Sequence, residues 1–330
     1  MREPREGVSP ALGPGLIWGI EFTVEGNRAV EDCDSPHGNR LRWLHLNLAD
    51  HGTRKWVETS PELPAAAREV LLSQDRHQRA LVDPVTVACV LHDFERDFDN
   101  ADTGRIGALH MALTRNLIVS ARHHPIGSAD IVYRRLAGSG AEIAMTPPRA
   151  LDMMVSALLE NFGRVIARLS GEVQTAEDAL VEDRPVPGTH RLLDVRRRLA
   201  QLHRMLDGMK GVFRRLELDT DLPPDMLATV EKLSQRVQGV DGDIVSVLNQ
   251  LRSVRDELSD QSNQRINQNL YLLSVMTALM LPATLVTGIF GMNTGDLPLV
   301  GHGGTIGATV IAAGSALATF LFLRGRGFFR

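Results

Sequence analysis

The chain of 330 residues carries 36 basic and 40 acidic side chains for a net charge of −4, with no extended basic block of the kind that tracks a nucleic-acid backbone. Its two cysteines, Cys33 and Cys89, are too few for a disulfide framework or a cysteine-rich metal site, and the polar start MREPREG has no secretory signal. A nucleic-acid partner is thereby excluded, and both thiols are expected to be reduced.

Residues 1 to 15, with Pro4, Pro10 and Pro14 among glycines, are expected to form a loose arm. Leu16 to Val24 and Leu41 to Leu48 alternate apolar and polar residues and read as half-buried strands on either side of a polar turn region, Glu25 to Asn39. Ser60, followed by Pro61 and Glu62, has the form of an N-cap with proline at the first helical position, and Leu63 to Leu72 continues as a short helix. Val85 to Phe94, Ile106 to Leu113 and Leu117 to Ala121 are further strands, the last two turning at Arg115 and Asn116, so the sheet is expected to be mostly antiparallel.

Asp93, Asp97, Asp99 and Asp102 lie close together in HDFERDFDNADTG, a density that suits a hard cation. The terminal glutamate of a calcium loop is missing, and a solvated strand end with a hairpin turn is the preferred reading. His123 and His124 are of the residue type zinc prefers, yet neighbours on a strand point to opposite faces and do not share one site. Ile126 to Leu136 reads as a helix ending at Gly138, Ser139 and Gly140, and Ile143 to Met145 as a last short strand.

From Pro147 the pattern changes to long helices: Arg149 to Leu180, His190 to Leu216, and everything after Pro223, with Asp221 ahead of Pro223 and Pro224 supplying a cap. Short links make them an antiparallel coiled bundle. In the last, Met226, Val230, Leu233, Val237, Val240, Ile244, Val247 or Leu248, Leu251 and Leu258 keep a repeat of about 3.5 to 3.6 residues. No breaker follows before the apolar C-terminal part, so about 70 continuous residues give a helix of roughly 105 Å.

Tyr271 to Asn293, YLLSVMTALMLPATLVTGIFGMN, contains no charged residue and is long enough to cross a bilayer core about 30 Å thick. Asn267, Leu270, Ser274, Thr277, Leu281, Thr284 and Gly288 fall on one stripe of that helix. Lipid does not satisfy such groups, so the stripe marks either helix packing or a wet passage shared by several copies. Pro282 removes one backbone hydrogen bond and is expected to bend the helix slightly, and Gly288 and Gly291 permit close approach. After a turn at Thr294 to Pro298, Gly303 to Leu323 forms a second uncharged segment. Arg265 precedes the hairpin and Arg324, Arg326 and Arg330 follow it, which places both chain ends in the cytoplasm.

Gly291, Met292 and Asn293 at the end of the first span, a tyrosine about twenty residues back, a proline midway, a short outer loop and a second span at the C-terminus together resemble the CorA-type divalent metal ion transporters. The loop Asn-Thr-Gly-Asp-Leu-Pro is closer to the zinc-transporting, ZntB-type branch than to the magnesium branch, although Met292 is the magnesium branch's residue and Asp296 replaces a glycine of the zinc branch. The resemblance implies a homopentamer at the inner (plasma) membrane in which an N-terminal cytoplasmic α+β domain, its sheet mostly antiparallel, sits on long stalk helices that continue into a two-helix transmembrane hairpin. The divisions are then 1–146 for the α/β domain, 147–265 for the stalk, 266–293 for the pore-lining span, 294–302 for the outer loop, 303–323 for the second span and 324–330 for a basic tail.

The resemblance also implies an outer selectivity site at Gly291, Met292 and Asn293, with backbone carbonyls and the Asn293 amide oxygen toward a hydrated ion held weakly. Asn267, Ser274, Thr277 and Thr284 would form stacked rings of neutral oxygen, with Leu270, Leu281 and Met292 as narrow apolar candidates for a gate. Asp296 is either a carboxylate ring at the outer mouth or an ordinary helix-end cap, and His302 either a proton relay or a bystander. Zinc ligands of the His or Cys type are absent from the stripe, so preference for zinc, with magnesium, cobalt or nickel as the alternative, rests on the resemblance. The divalent cation is cargo, and no tightly bound cofactor is expected. A membrane-tethered scaffold or sensor, the competing class, leaves the shared face of Asn267, Ser274, Thr277 and Thr284 unexplained. An enzyme lacks any nucleophile motif, phosphate loop or usable carboxylate pair.

Overall fold

The computed structural model describes residues 15–23, 26–35, 38, 40–96, 104–138, 144–182, 184–186, 188–292 and 304–326. They fall into two compact units, Met1–Val254 and Arg255–Arg330. Seven strands, β1 (Leu16–Thr23), β2 (Gly26–Ala29), β3 (Arg42–Asn47), β4 (Arg79–Asp83), β5 (Thr86–Phe94), β6 (Ile106–Leu113) and β7 (Leu117–Arg122), form one sheet in the order β2-β1-β3-β7-β6-β5-β4. Every neighbouring pair is antiparallel except β3 and β7, which run parallel from Arg42↔Leu117 to Asn47↔Arg122. A parallel pair needs a crossover, and α1 (His51–Thr59) and α2 (Ala65–Leu72) lie within it. They cover one face of the sheet, where Leu44, Leu46, Val90, Val119 and Ala121 join Val57, Ala67, Val70 and Leu71 in a buried core.

The mostly antiparallel sheet was legible in the sequence, but three short elements were not. β2 falls inside the expected turn region, β4 precedes the strand expected from Val85, and α1 replaces a stretch given no element. Ser60 is not an N-cap: its N–H donates to the Trp56 carbonyl at 2.8 Å and closes α1. Its backbone is extended, as the position before a proline favours, and α2 starts only after Pro64. Asp50 caps α1 through its carboxylate, 2.7 Å from the Thr53 N–H. The last expected strand is not formed at Ala144 and Met145, while Ile143 lies outside the described residues.

The opposite face carries Trp18, Trp43 and His45, with the Trp18 ring stacked on His45 and 5.8 Å from Tyr133 of α3 (Gly127–Gly138). Arg122 Nε donates to His45 Nε2 at 3.2 Å, which fixes the proton on Nδ1, and Nδ1 sits 2.9 Å from Ser120 Oγ. Burial first, and then the Arg122 charge, pushes the His45 imidazole down to about 3, so it is neutral.

Asp93 is not a solvated strand-end acid. It is fully buried and accepts from the N–H groups of Phe94 and Ser128, both at 2.8 Å, and from Asn161 Nδ2 at 3.1 Å. It thereby closes the open end of α3 and ties it to α4 (Pro147–Val181). Gly127 makes room for this, since a Cβ there would stand 2.9 Å from Asn161 Nδ2. Asp97, Asp99 and Asp102 lie outside the described residues.

α4, α5 (Thr189–Leu218) and α6 (Pro224–Gly291) match the expected long helices. Thr146 caps α4 ahead of Pro147 and Pro148. The buried seam of α6 runs through Met226, Val230, Leu233, Val237, Asp241, Ile244, Val247, Leu251 and Val254. At one point it departs from the apolar repeat: Asp241, not Val240, takes the buried position. Its carboxylate is held by His203 Nδ1 at 2.6 Å and Lys210 Nζ at 2.8 Å, both from α5, which is what lets a charge lie there. Lys232 and Arg236 of α6 pair in turn with Asp152 of α4.

Candidate ion pathway

The second unit holds the end of α6 and α7 (Gly304–Gly325), two helices long and apolar enough to cross a membrane, with mean hydropathies of 1.9 and 2.0 over their most apolar stretches. Half-buried positions recur along one side of each: Val275, Leu279, Pro282, Val286 and Phe290 on α6, and Ala308, Ala312, Ser315, Thr319 and Leu323 on α7. Steps of three and four residues are the trace of a helix covered along a single stripe.

The oxygen-bearing stripe lies elsewhere on α6. Asn267, Leu270, Ser274, Thr277, Leu281, Thr284 and Gly288 are all exposed, on the side left uncovered within one chain. A Cβ added at Gly288 or Gly291 would meet no atom of the described residues within 4 Å. The close approach these glycines permit is therefore not used among the described residues of the chain. Pro282 sits inside a helix that continues past it to Gly291.

Hydrogen bonding gives the stripe a definite polarity. Ser274 Oγ donates to the Leu270 carbonyl at 2.8 Å, Thr277 Oγ1 to Leu273 at 2.8 Å, and Thr284 Oγ1 lies 3.0 and 2.9 Å from the Met280 and Leu281 carbonyls. With each proton committed to the backbone, the oxygens present lone pairs outward. A hydrated cation turns its water hydrogens outward, so acceptors are what its shell requires. Thr309 and Thr319 of α7 make the same backbone bonds, so it is the shared side of α6, not the bonding alone, that sets the first group apart.

Gly291 is the last residue of α6, and Met292 follows it, 61% exposed, with its N–H 3.3 Å from the Ile289 carbonyl. Asn293, Asp296 and His302 lie outside the described residues. Sequence reasoning missed the stripe's extension in the other direction. Steps of seven lead from Asn267 back to Asp260, and from Thr277 and Leu270 back to Asn263 and Asp256; all three are exposed. A heptad count carried past Asn267 would have found them.

Burial pushes the Cys33 and Cys89 thiols up to about 12, with Asp32 and Asp34 adding to the effect at Cys33, so both stand as protonated thiols. Among the described residues no group of three or more His, Cys, Asp or Glu is placed to hold a metal ion.

Residues 38–324 match the family model described as CorA-like Mg2+ transporter protein. A curated relative, zinc transport protein ZntB of Cronobacter sakazakii, is 27% identical over 298 residues, 88% of this chain and 86% of that one. Among solved structures, the full-length CmaX protein superposes with a TM-score of 0.75 at 21% identity, covering 97% of this chain and 99% of its own. The complete CorA magnesium transporter of Methanocaldococcus jannaschii gives 0.78 at 14% identity, covering 94% and 98%. At such identities the structural matches speak to the fold.

Proposed function

The chain belongs to the CorA-like Mg2+ transporter family, a family of divalent-cation transporters and not of enzymes, and from that membership we propose that it carries zinc across the membrane through a passage lined by several copies of α6. The name of the curated relatives supports zinc; magnesium, cobalt and nickel are the alternative cargo. The single observation that carries the passage is the exposed stripe from Asn267 to Gly288, which the hairpin's own packing leaves open. A lone hairpin encloses no water path, and an uncovered row of oxygens and glycines is accommodated by other copies of itself. Five is the number the family resemblance implies.

In this reading Ser274, Thr277 and Thr284 accept from the ion's water shell, Asn293 reads the shell at the outer end with the backbone of Gly291 and Met292, and Leu270 and Leu281 narrow the path. Asp256 and Asp260 would concentrate cations at the inner end by their field, and Asp296 at the outer. In the same reading the positive-inside rule, applied to Arg265, Arg324 and Arg326, would put both chain ends in the cytoplasm. Recognition through water is weak, which suits passage rather than storage.

The test is metal-dependent dye quenching in proteoliposomes with the intact protein and Asn293→Ala. Zinc entry that collapses in the variant supports the reading; equal entry in both overturns it. Repeating the assay with an imposed pH gradient, with and without His302→Ala, tests proton coupling.

A further inference from the structure

We propose that His110 and His123 together bind a divalent ion of the imidazole-preferring kind, such as zinc, cobalt or nickel, within the N-terminal unit. His110 lies in the middle of β6, fully buried, with Nδ1 2.8 Å from the Val70 carbonyl. A carbonyl only accepts, so Nδ1 carries the proton and Nε2 is left as a bare lone pair. That atom is buried and has no hydrogen-bond partner among the described residues. Unpaired buried acceptors are uncommon in folded proteins, and a histidine whose other ring N–H is anchored to a backbone carbonyl is the usual second-shell arrangement of a metal ligand.

The neighbouring ring belongs to His123, one residue past β7, its centroid 5.9 Å from that of His110 and its plane at 83°. Two imidazoles sharing an ion at metal–nitrogen distances of about 2.0–2.1 Å have centroids roughly 5 to 6 Å apart, and the observed centroid spacing lies within that range. The adjacent pair His123 and His124 does not form a site, but the sheet brings His123 to a different histidine, thirteen residues away in sequence.

Burial holds both rings below the ordinary histidine range, helped by His123, Arg79 and Arg76 at His110 and by Arg76, Arg54 and His124 at His123. Both are therefore in the neutral form that ligates. The same arginines oppose a bound dication, and no third His, Cys, Asp or Glu among the described residues completes the set, so water fills the remaining positions and binding is weak and exchangeable. Neutral nitrogen donors select against magnesium, which takes oxygen. With zinc as cargo, the N-terminal unit would register the ion without its entering the passage; that role rests on the transport reading, whereas the binding does not.

The experiment is calorimetric titration of the full-length protein in detergent with Zn2+ alone, over a large excess of magnesium that occupies oxygen sites. One zinc per chain is expected to survive the magnesium. His123→Ala should weaken it at least about tenfold, His110→Gln likewise, and His124→Ala should leave it unchanged. Melting curves of the same samples establish that each variant is folded. Cobalt in place of zinc should give a visible absorption band that His123→Ala removes. Equal zinc affinity in the intact protein and His123→Ala, or displacement by magnesium, overturns the assignment. Zinc flux through His123→Ala in proteoliposomes separates this site from the passage, because the transport reading predicts that the flux persists.

Discussion

Replacing Asp93 by alanine should destabilise the N-terminal unit by about 2–3 kcal/mol. The carboxylate is fully buried and takes three hydrogen bonds, from the Phe94 and Ser128 N–H groups and from Asn161. Asn161 is half-buried and can turn toward water, so the loss falls on two backbone donors left without a partner, each costing about 1–3 kcal/mol. Part of this is returned, because the burial that raises the Asp93 carboxyl above the ordinary range is a cost the folded state no longer bears. For a unit of this size the melting temperature should fall by roughly 4–10 °C. Trp18 lies against Tyr133 on α3, so tryptophan fluorescence during urea unfolding reports directly on the helix Asp93 holds. The sign of the pH effect follows from the raised carboxyl: the folded state keeps its proton longer than the unfolded chain, so stability contributed by this group falls as pH climbs from the ordinary carboxylate range through the raised value. Asp93→Asn should flatten that slope. Stability of Asp93→Ala within about 0.5 kcal/mol of the intact protein, the spread of ordinary surface changes, would refute the reasoning.

Three further outcomes follow. His45, held down to about 3 against an ordinary value of 6.5, should make the protein lose stability as pH falls below 6.5, at up to roughly 1.4 kcal/mol per pH unit, with the loss complete near its folded value; His45→Gln should remove this component from acid-denaturation curves. Asp241→Leu should leave stability equal or higher while Asp241→Ala destabilises by about 1–2 kcal/mol, since leucine refills the seam and alanine leaves a gap beside Lys210; differential scanning calorimetry ranks the two, and the reverse order would count against a buried ion pair there. Gly19→Ala should cost about 1–3 kcal/mol, because its Cβ would stand 2.9 Å from Val30 Cβ and 3.0 Å from Leu44 Cδ2, again read by chemical denaturation.

What the sequence made legible followed the length and period of each element. α4, α5 and α6 run for 35, 30 and 68 residues, and β5 to β7 alternate or stay apolar long enough to stand out. β2, with the sequence GNRA, is a four-residue edge strand whose burial is slight, and its pairing with β1 leaves no local apolar signal. α1 buries only Thr53 and Val57, too little for a periodic pattern, and Ser60-Pro61 serves as a stop as well as it would serve as a start. Asp93 looked like one of four solvated acids because its partners, Ser128 and Asn161, are 35 and 68 positions away. The α6 stripe was readable because a helix repeats on itself, whereas the meeting of His110 with His123 depends on strand register that composition does not reveal.

Zinc flux through proteoliposomes bearing Thr277→Val and Thr284→Val, beside Thr309→Val and Thr319→Val on the neighbouring helix, bears most directly on how the ion crosses. Each valine in the first pair deletes an outward lone pair worth about 1 kcal/mol to a passing water shell, so entry should drop by roughly tenfold or more, with the second pair near the intact rate. Undiminished flux in the first pair, or an equal drop in both, would contradict a water-shell passage along that side of α6.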